Sequence, residues 1–505
     1  MTAGKLDAAD VTLGEMGHLL PSTRPGSPGS PDTSSGAPTR AAGAAVDGFP
    51  GPSPSGAPGA PDAAGVPSVP VDAPGVPGPT GGTAPATDPA PPAPRAGAGP
   101  IPLPGTVPPE LADELVAIRR DLHMHPELGN HEVRTTSVVR ERLEREGLTP
   151  RVLPGGTGLI CDILPVSAGG PGGVWEGGRP MLALRADLDA LPIPDTKSVP
   201  YRSTVPGRAH ACGHDVHTTA VLGAGIVLAR LARRGLLPHP VRLLFQPAEE
   251  VLPGGAQDAL EAGVLEGVGR ILAVHCDPRV ETGRIGLRTG PITSACDRLE
   301  ISLSGPGGHT ARPHLTTDLV TAAARLVTDV PALLARRVDT RAGLALTWGR
   351  LQTGHAPNVI PQIAELSGTI RCLDIDAWRE APELVHAAVD EVAGLHRAKS
   401  ELRYVRGVPP VVNEPGSATL LGEAMAARCG AGSVEPTEQS LGGEDFSWYL
   451  EHVPGAMARL GVRPPGEAGA VPRDIHQGDF DVDESAITVG VELFTASVML
   501  DAEER

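Results

Sequence analysis

Three short apolar runs in this chain each stop at a chemically reactive side chain. Residues 181–186 (Met-Leu-Ala-Leu-Arg-Ala) end in Asp187-Leu-Asp189, residues 241–245 lead into Gln246-Pro-Ala-Glu-Glu250, and residues 270–274 lead into His275. Runs of this length, bounded by turn residues, predict strands buried on both faces. Helical periodicity flanks and separates them, over 110–125, 132–146, 217–234 and near 255–262. Strands alternating with helices imply an α/β fold with a largely parallel sheet covered on both sides. In such sheets ligands bind beyond the carboxyl ends of strands, so Asp187, Glu249, Glu250 and His275 are expected to meet.

The middle of the chain follows a different period. Apolar and polar residues alternate over 297–304, through much of 342–352 and over 363–372, with helical stretches at 318–336 and 377–397. Closed by 401–405, this strand-helix-strand-strand-helix-strand order predicts a small α+β sandwich on an antiparallel sheet. The first pattern returns after Asn413, with helices near 417–428 and 484–501. The expected plan is a doubly wound, mostly parallel catalytic domain over 107–290 and 408–505, interrupted by an inserted α+β domain over 291–407. Its two linkers, near 290 and 407, would make the junction a hinge.

Residues 1–106 stand apart. They hold 23 of the 55 prolines, almost no aromatic residues and no sustained periodicity. Such a segment cannot bury enough apolar surface to offset its ordering entropy, so a disordered Pro/Gly/Ala-rich tail is expected. Residues 1–20 carry Asp7, Asp10 and Glu15 and lack the apolar core of a secretory signal. No run of about eighteen apolar residues predicts a membrane span. The formal net charge of −18 argues against a nucleic-acid partner. Cys161, Cys212, Cys276, Cys296, Cys372 and Cys429 form no CxxC pair, so each reads as a small buried hydrophobe of a cytoplasmic protein, Cys212 excepted.

Cys212 belongs to His210-Ala-Cys-Gly-His-Asp-Val-His217, which gathers a thiolate and several imidazoles. Residues at i and i+2 cannot share a helix face, but a tight Gly-containing loop lets Cys212 and His214 converge on one cation. Glu249 and Glu250 supply what such a site lacks, one carboxylate to hold metal and one to move protons, in either order. Asp215 and His217 suit orienting or helix-capping roles. The chemistry this set defines is that of a metal-dependent hydrolase.

Six ordered blocks then carry a family resemblance: residues 119–128, 184–192, 210–217 and 245–250, with Gly307-Gly-His-Thr-Ala-Arg-Pro-His314 and Gly442-Gly-Glu-Asp-Phe446. The chain resembles the amidohydrolase branch of the aminoacylase-type co-catalytic metallopeptidases, which includes hippurate hydrolases, auxin-conjugate hydrolases and N-acetyl-diaminopimelate deacetylases. The resemblance spans 108–502 and implies amide hydrolysis of N-acyl amino acids by two divalent cations (Mn, Zn, Co or Ni) under an inserted lid domain. It places metal ligands at Cys212, His214, Glu250, His275 and His476, and the general base at Glu249. His309 resembles a residue that completes the site on closure. Asn358 and Arg371 are candidates for the substrate carboxylate, Arg because its fork matches one, and Gly442 and Gly443 for backbone N–H contacts.

Related branches carry a His-x-Asp ligand pair where this chain has Arg185-Ala-Asp187. Arg185 cannot bind a cation, so Cys212 takes up the loss and Asp187 becomes a carboxylate that orients a ligand imidazole. Inserted domains of the family often pair through sheet edges, which allows a homodimer. The expected partner is thus a small N-acyl amino acid, with no nucleic acid and no membrane. A metallo-dipeptidase on the same fold, which would need a place for a free α-amino group that the sequence does not supply, or a carboxypeptidase on that fold, is the nearest alternative. A non-catalytic small-molecule-binding protein would be expected to lose Glu249 or a ligand, and none is missing.

Overall fold

The computed structural model describes residues 106–501, apart from 171–172, 174–177, 253 and 467–472. The expected disordered tail lies outside the described residues.

The large sheet has eight strands in the order Arg151–Val152, Leu159–Ile163, Val241–Gln246, Met181–Asp187, Val268–Glu281, Gly455–Arg463, Ile285–Leu287 and Val434–Pro436. Its central neighbours are parallel: Met181–Asp187 lies between Val241–Gln246 and Val268–Glu281, which in turn pairs with Gly455–Arg463. Every residue of Met181–Asp187 is buried. Alternate side chains enter two cores, Leu182, Leu184 and Ala186 on one face and Met181 and Ala183 on the other. Helices Pro109–Met124, His214–Arg233, Pro415–Cys429 and Ser485–Asp501 cover the first face, and Gly255–Glu261 and Ser447–Leu450 the second. The sheet is therefore doubly wound, as the short apolar runs imply.

His214–Arg233 is long and apolar enough to cross a membrane by composition, but 94% of its apolar window is buried inside the fold. A helix apolar on all sides packs in a core, and this one meets Pro109–Met124 and Ser485–Asp501. It starts three residues before the predicted 217, which puts His214 on its first turn.

The second sheet is antiparallel, in the order Ala345–Thr353, Ile363–Cys372, Ala295–Ser304 and Lys399–Val408. Leu299, Ile301, Leu303, Leu366 and Ile370 pack against helices Leu319–Arg337 and Ile375–Leu395. Both helices are capped as their sequences suggest: Asp318 accepts the Thr321 N–H (3.0 Å) and Asp374 the Ala377 N–H (2.8 Å). The two crossings between the sheets run side by side, Gly290–Pro291 pairing antiparallel with Val412–Asn413.

One placement differs from expectation. The strand predicted over 270–274 runs from Val268 to Glu281, so His275 lies within a strand and not beyond its end. Asp277-Pro278 reads as a strand stop. Pairing with Gly455–Arg463 nevertheless continues to Glu281, and a register shift between Gly461 and Arg463 absorbs the proline.

Candidate metal centre and active site

Cys212 and His214 flank Gly213, whose φ of +90° turns the chain into the His214–Arg233 helix. A Cβ at Gly213 would sit 2.7 Å from Cys276 Sγ, so glycine alone lets this turn press against the Val268–Glu281 strand. The close approach brings Cys212 Sγ to 3.4 Å from His275 Nε2. His275 Nδ1 donates to the Cys276 carbonyl (2.9 Å), which leaves the Nε2 lone pair facing Cys212.

The two glutamates come from the turn after Val241–Gln246. Ala248 there takes a φ of +59°, an uncommon value for a residue with a Cβ. Its N–H donates to Glu132 Oε1 (2.7 Å) and its carbonyl accepts from Gly255 N–H (2.8 Å), while Glu250 N–H donates to Asp189 Oδ2 (2.9 Å). Two carboxylates from distant segments thus hold a strained turn. Burial pushes the Glu132 carboxyl up to about 7. Glu132→Ala should destabilise the fold by about 1–3 kcal/mol, the penalty for an orphaned buried donor, and lower kcat as the turn relaxes. Glu132→Gln keeps an acceptor oxygen and should recover most of both; thermal melts and kcat on the two variants check this.

His476 completes the group from a late loop. It also has positive φ (+62°); its N–H donates to the Ala211 carbonyl (2.7 Å), and its Nε2 lies 3.2 Å from Glu250 Oε1. Donor atoms of Cys212, His214 and His275 all lie within 4.8 Å of one another, as do those of Cys212, Glu250 and His476, and those of His214, Glu249 and Glu250. The five residues marked as ligands by resemblance therefore meet, together with Glu249.

The electrostatics of this cluster fit a bound cation. His214 Nδ1 and Nε2 and Glu250 Oε1 are buried without a hydrogen-bond partner, although His214 Nδ1 lies 3.3 Å from Asp189 Oδ1. That contact has the distance for charge attraction but not the alignment for a hydrogen bond. Burial, reinforced by Glu250 and Glu249, pushes the Cys212 thiol well above its usual range. Burial and the neighbouring Glu444, Glu250 and Asp445 do the same to the Glu249 carboxyl. Burial alone would lower His214, but Asp187, Asp189 and Glu250 outweigh it and push the imidazole up to about 10. The donor set carries more negative charge than the protein balances, and a divalent cation would reverse each of these shifts. Thiolate, imidazole and carboxylate together suit Zn, Mn, Co or Ni.

All of this opens on a cavity of about 430 Å³, lined from the large sheet by Cys212, Glu249, Glu250, His275, Arg459 and His476. Gly443 also lines it, and Cys296, Arg371 and Val408 form a wall from the antiparallel sheet. Asp187 ends its strand between His217 Nδ1 (2.7 Å) and Arg185 Nη1 (2.8 Å). His217 Nε2 accepts from the Cys276 N–H (2.8 Å), so both of its nitrogens are engaged and neither is left for a cation. Asp215 turns toward the first helix, 2.8 Å from Arg119 Nε and 2.6 Å from His123 Nδ1. Arg185 is buried and held by Gln246, Asp187 and Asp445.

His309 and Asn358 are not brought to the cavity. Both are exposed on the short pairing of Gly308–His309 with Val359–Ile360, where Thr310 N–H donates to the Asn358 carbonyl (3.2 Å). Sequence reasoning also missed residues that the fold does bring in: Glu132, Asp189, Glu444, Asp445 and Arg459. Asp189, Glu444 and Asp445 stand inside motif blocks already noted. Arg459 had a signal of its own, a charge within an otherwise apolar run, Gly455-Ala-Met-Ala-Arg-Leu-Gly-Val462.

A doubly wound sheet with thiolate, imidazole and carboxylate donors gathered near its strand ends, plus an inserted α+β unit, defines a class of metal-dependent hydrolase. The chain belongs to peptidase family M20/M25/M40, whose sequence profile matches residues 183–500. It is a hydrolase of linear amides. It is 36% identical over 390 residues to the N-acetylcysteine deacetylase of Bacillus subtilis, covering 77% of this chain and 97% of the relative. A Rhodococcus jostii protein that carries a glutamate–cysteine ligase name is 47% identical over 388 residues, and the chain spans only 47% of that protein's length. The crystal structure of a dinuclear metal-binding M20 peptidase from Bacillus subtilis superposes with a TM-score of 0.67 at 33% identity, over 78% of this chain and 99% of the other.

Proposed function

We propose that the enzyme cleaves the amide bond of N-acyl amino acids, with two divalent cations on Cys212, His214, Glu250, His275 and His476 and with Glu249 as the acid–base residue. The observation that carries this reading is the meeting of Cys212, His214, Glu250, His275 and His476 with Glu249, all but His214 lining one cavity that Arg371 also lines. The deacetylase and dinuclear peptidase relatives support it. When bound, the cations would polarise the scissile carbonyl and lower the pKa of water. Glu249 takes the proton of the attacking water on its carboxylate and returns it to the departing nitrogen. Burial and the neighbouring Glu444, Glu250 and Asp445 raise its proton affinity in the metal-free site, and bound cations would draw it back down toward the range a base needs. Asp187 and Asp215 fix the surrounding imidazoles, and Arg371, Asn358 and the Gly443 N–H orient the substrate.

His309 and Asn358 then act on closure, the antiparallel domain swinging about the paired crossing of Gly290–Pro291 with Val412–Asn413. Leu351, Val359 and Ile363 are exposed apolar side chains of that domain, and we assign them to a homodimer contact. Six free cysteines fit a reducing, cytoplasmic setting. His309→Ala should lower kcat on the order of 10²-fold, as loss of one oxyanion donor does, while metal content and Tm hold. A fully active variant would leave the inserted domain without a catalytic part. The reading as a whole is tested by reconstituting metal-free protein with Mn, Zn, Co or Ni and assaying hippurate, N-acetyl amino acids and dipeptides. Acylated amino acids should turn over fastest, and turnover of dipeptides alone would overturn the assignment.

A further inference from the structure

Arg459 lines the cavity from the strand Gly455–Arg463, where it pairs across the parallel sheet with His275. Register partners in a parallel sheet present their side chains on the same face, so the guanidinium rises beside the candidate metal ligands. Arg459 is only 6% exposed, and its Nε has no hydrogen-bond partner. Asp277 and Glu444 act on it through space, but both are occupied elsewhere. Asp277 accepts from Arg279 (2.7 and 3.0 Å), and Glu444 lies 3.1 Å from Arg185.

A guanidinium does not shed its proton to escape burial, and an unpaired buried charge is strongly unfavourable. A charge kept in that state beside an open cavity calls for an anion that arrives with the ligand. Arg371 faces the same cavity from the antiparallel sheet, where its side chain meets the Cys296 thiol and not a carboxylate. The cavity therefore has a guanidinium in each of two walls, while Glu249, Glu250, Glu444 and Asp445 line it as acids.

We propose that Arg459 receives a second carboxylate of the substrate, so that the enzyme acts on dianionic N-acyl amino acids, with one carboxylate on Arg371 and the other on Arg459. This rests on the amidohydrolase reading above. The second carboxylate belongs either to the amino-acid side chain or to the acyl group; in both cases it reaches the floor of the cavity next to His275.

The test compares metal-loaded wild type, Arg459→Met and Arg459→Lys on N-acetyl-L-alanine, N-acetyl-L-glutamate and N-succinyl-L-alanine, with calorimetric titration of glutarate alongside. Wild type should prefer one of the two dianionic compounds by kcat/KM, and which one it prefers locates the carboxylate. Arg459→Met should reduce that preference on the order of 10²-fold, as removal of one partner from a buried charge pair does. Arg459→Lys should recover part of it, keeping the charge without the fork, and it carries the comparison if the Met variant loses metal. A wild type without preference, or equal losses on all three substrates, overturns the proposal and leaves Arg459 as a countercharge for Asp277 and Glu444. If wild type hydrolyses none of them yet binds glutarate at least about tenfold tighter than Arg459→Met, the amidohydrolase reading fails and the carboxylate site stands. If glutarate binding is also unchanged, both fail.

Discussion

Glu249→Gln should keep its metal and its melting temperature while turnover falls on the order of 10²-fold or more, as loss of a general base requires. The amide has the size of the carboxylate but cannot take a proton from water. Stability should hold or rise, because the native carboxyl is buried against Glu444, Glu250 and Asp445 and a neutral amide removes that repulsion. Metal stoichiometry, kcat and Tm measured together separate the two glutamates. A variant that loses metal, and regains turnover when metal is supplied in excess, would exchange the roles of Glu249 and Glu250.

Cys212→Ala should act on the metal first. Cys212 Sγ belongs both to the donor group with His214 and His275 and to the one with Glu250 and His476. On the proposed ligand set a thiolate shared in this way would serve both cation positions, so its loss should empty at least one of them and abolish most activity. Bound metal stabilises the folded state by mass action, so a chelator should lower the wild-type Tm and shift the variant less. An Ala variant that keeps full metal content would remove Cys212 from the ligand set. Together with Glu249→Gln, this variant distinguishes loss of the proton carrier from loss of the cation.

The parts of the fold that were legible in the sequence are those whose period is strong and local. Met181–Asp187 and Val241–Gln246 are mainly apolar runs, and the acids at or just past their ends fall at the sheet's ligand end as parallel strands dictate. The alternating runs of the antiparallel sheet were equally plain, because one face alone is packed by helices. Ile285–Leu287 and Val434–Pro436 are too short to show a period, and Leu159–Ile163 and Gly455–Arg463 are strands only because neighbours pair with them. His275 was placed beyond a strand because Pro278 breaks the local signal while pairing runs on.

In the site, the Cys212 and His214 cluster was visible because glycine and donor types sit together. Glu132 was not, because its partner is the N–H of Ala248, fixed only once a helix and a strand far apart in sequence have packed. Arg459 was passed over for the same reason: one charge in an apolar run acquires meaning only beside His275. His309 and Asn358 show the converse. The motif block of His309 is clear in the sequence, yet both side chains stand outside the cavity, so the roles proposed for them require a movement.

The backbone bond from His476 to Ala211 joins the last candidate ligand to the turn that bears the first two. During synthesis these segments emerge far apart in time, since Cys212 and His214 leave the ribosome long before residue 476 is translated. On the proposed ligand set, a growing chain carries a fraction of a cation site and no hydrolytic power until its late loop has docked. A fragment ending before residue 476 would hold a thiol and imidazoles able to scavenge metal but unable to cleave an amide. On that ligand set, the chain would gain its hydrolytic power only once residue 476 has been made and has docked against Ala211.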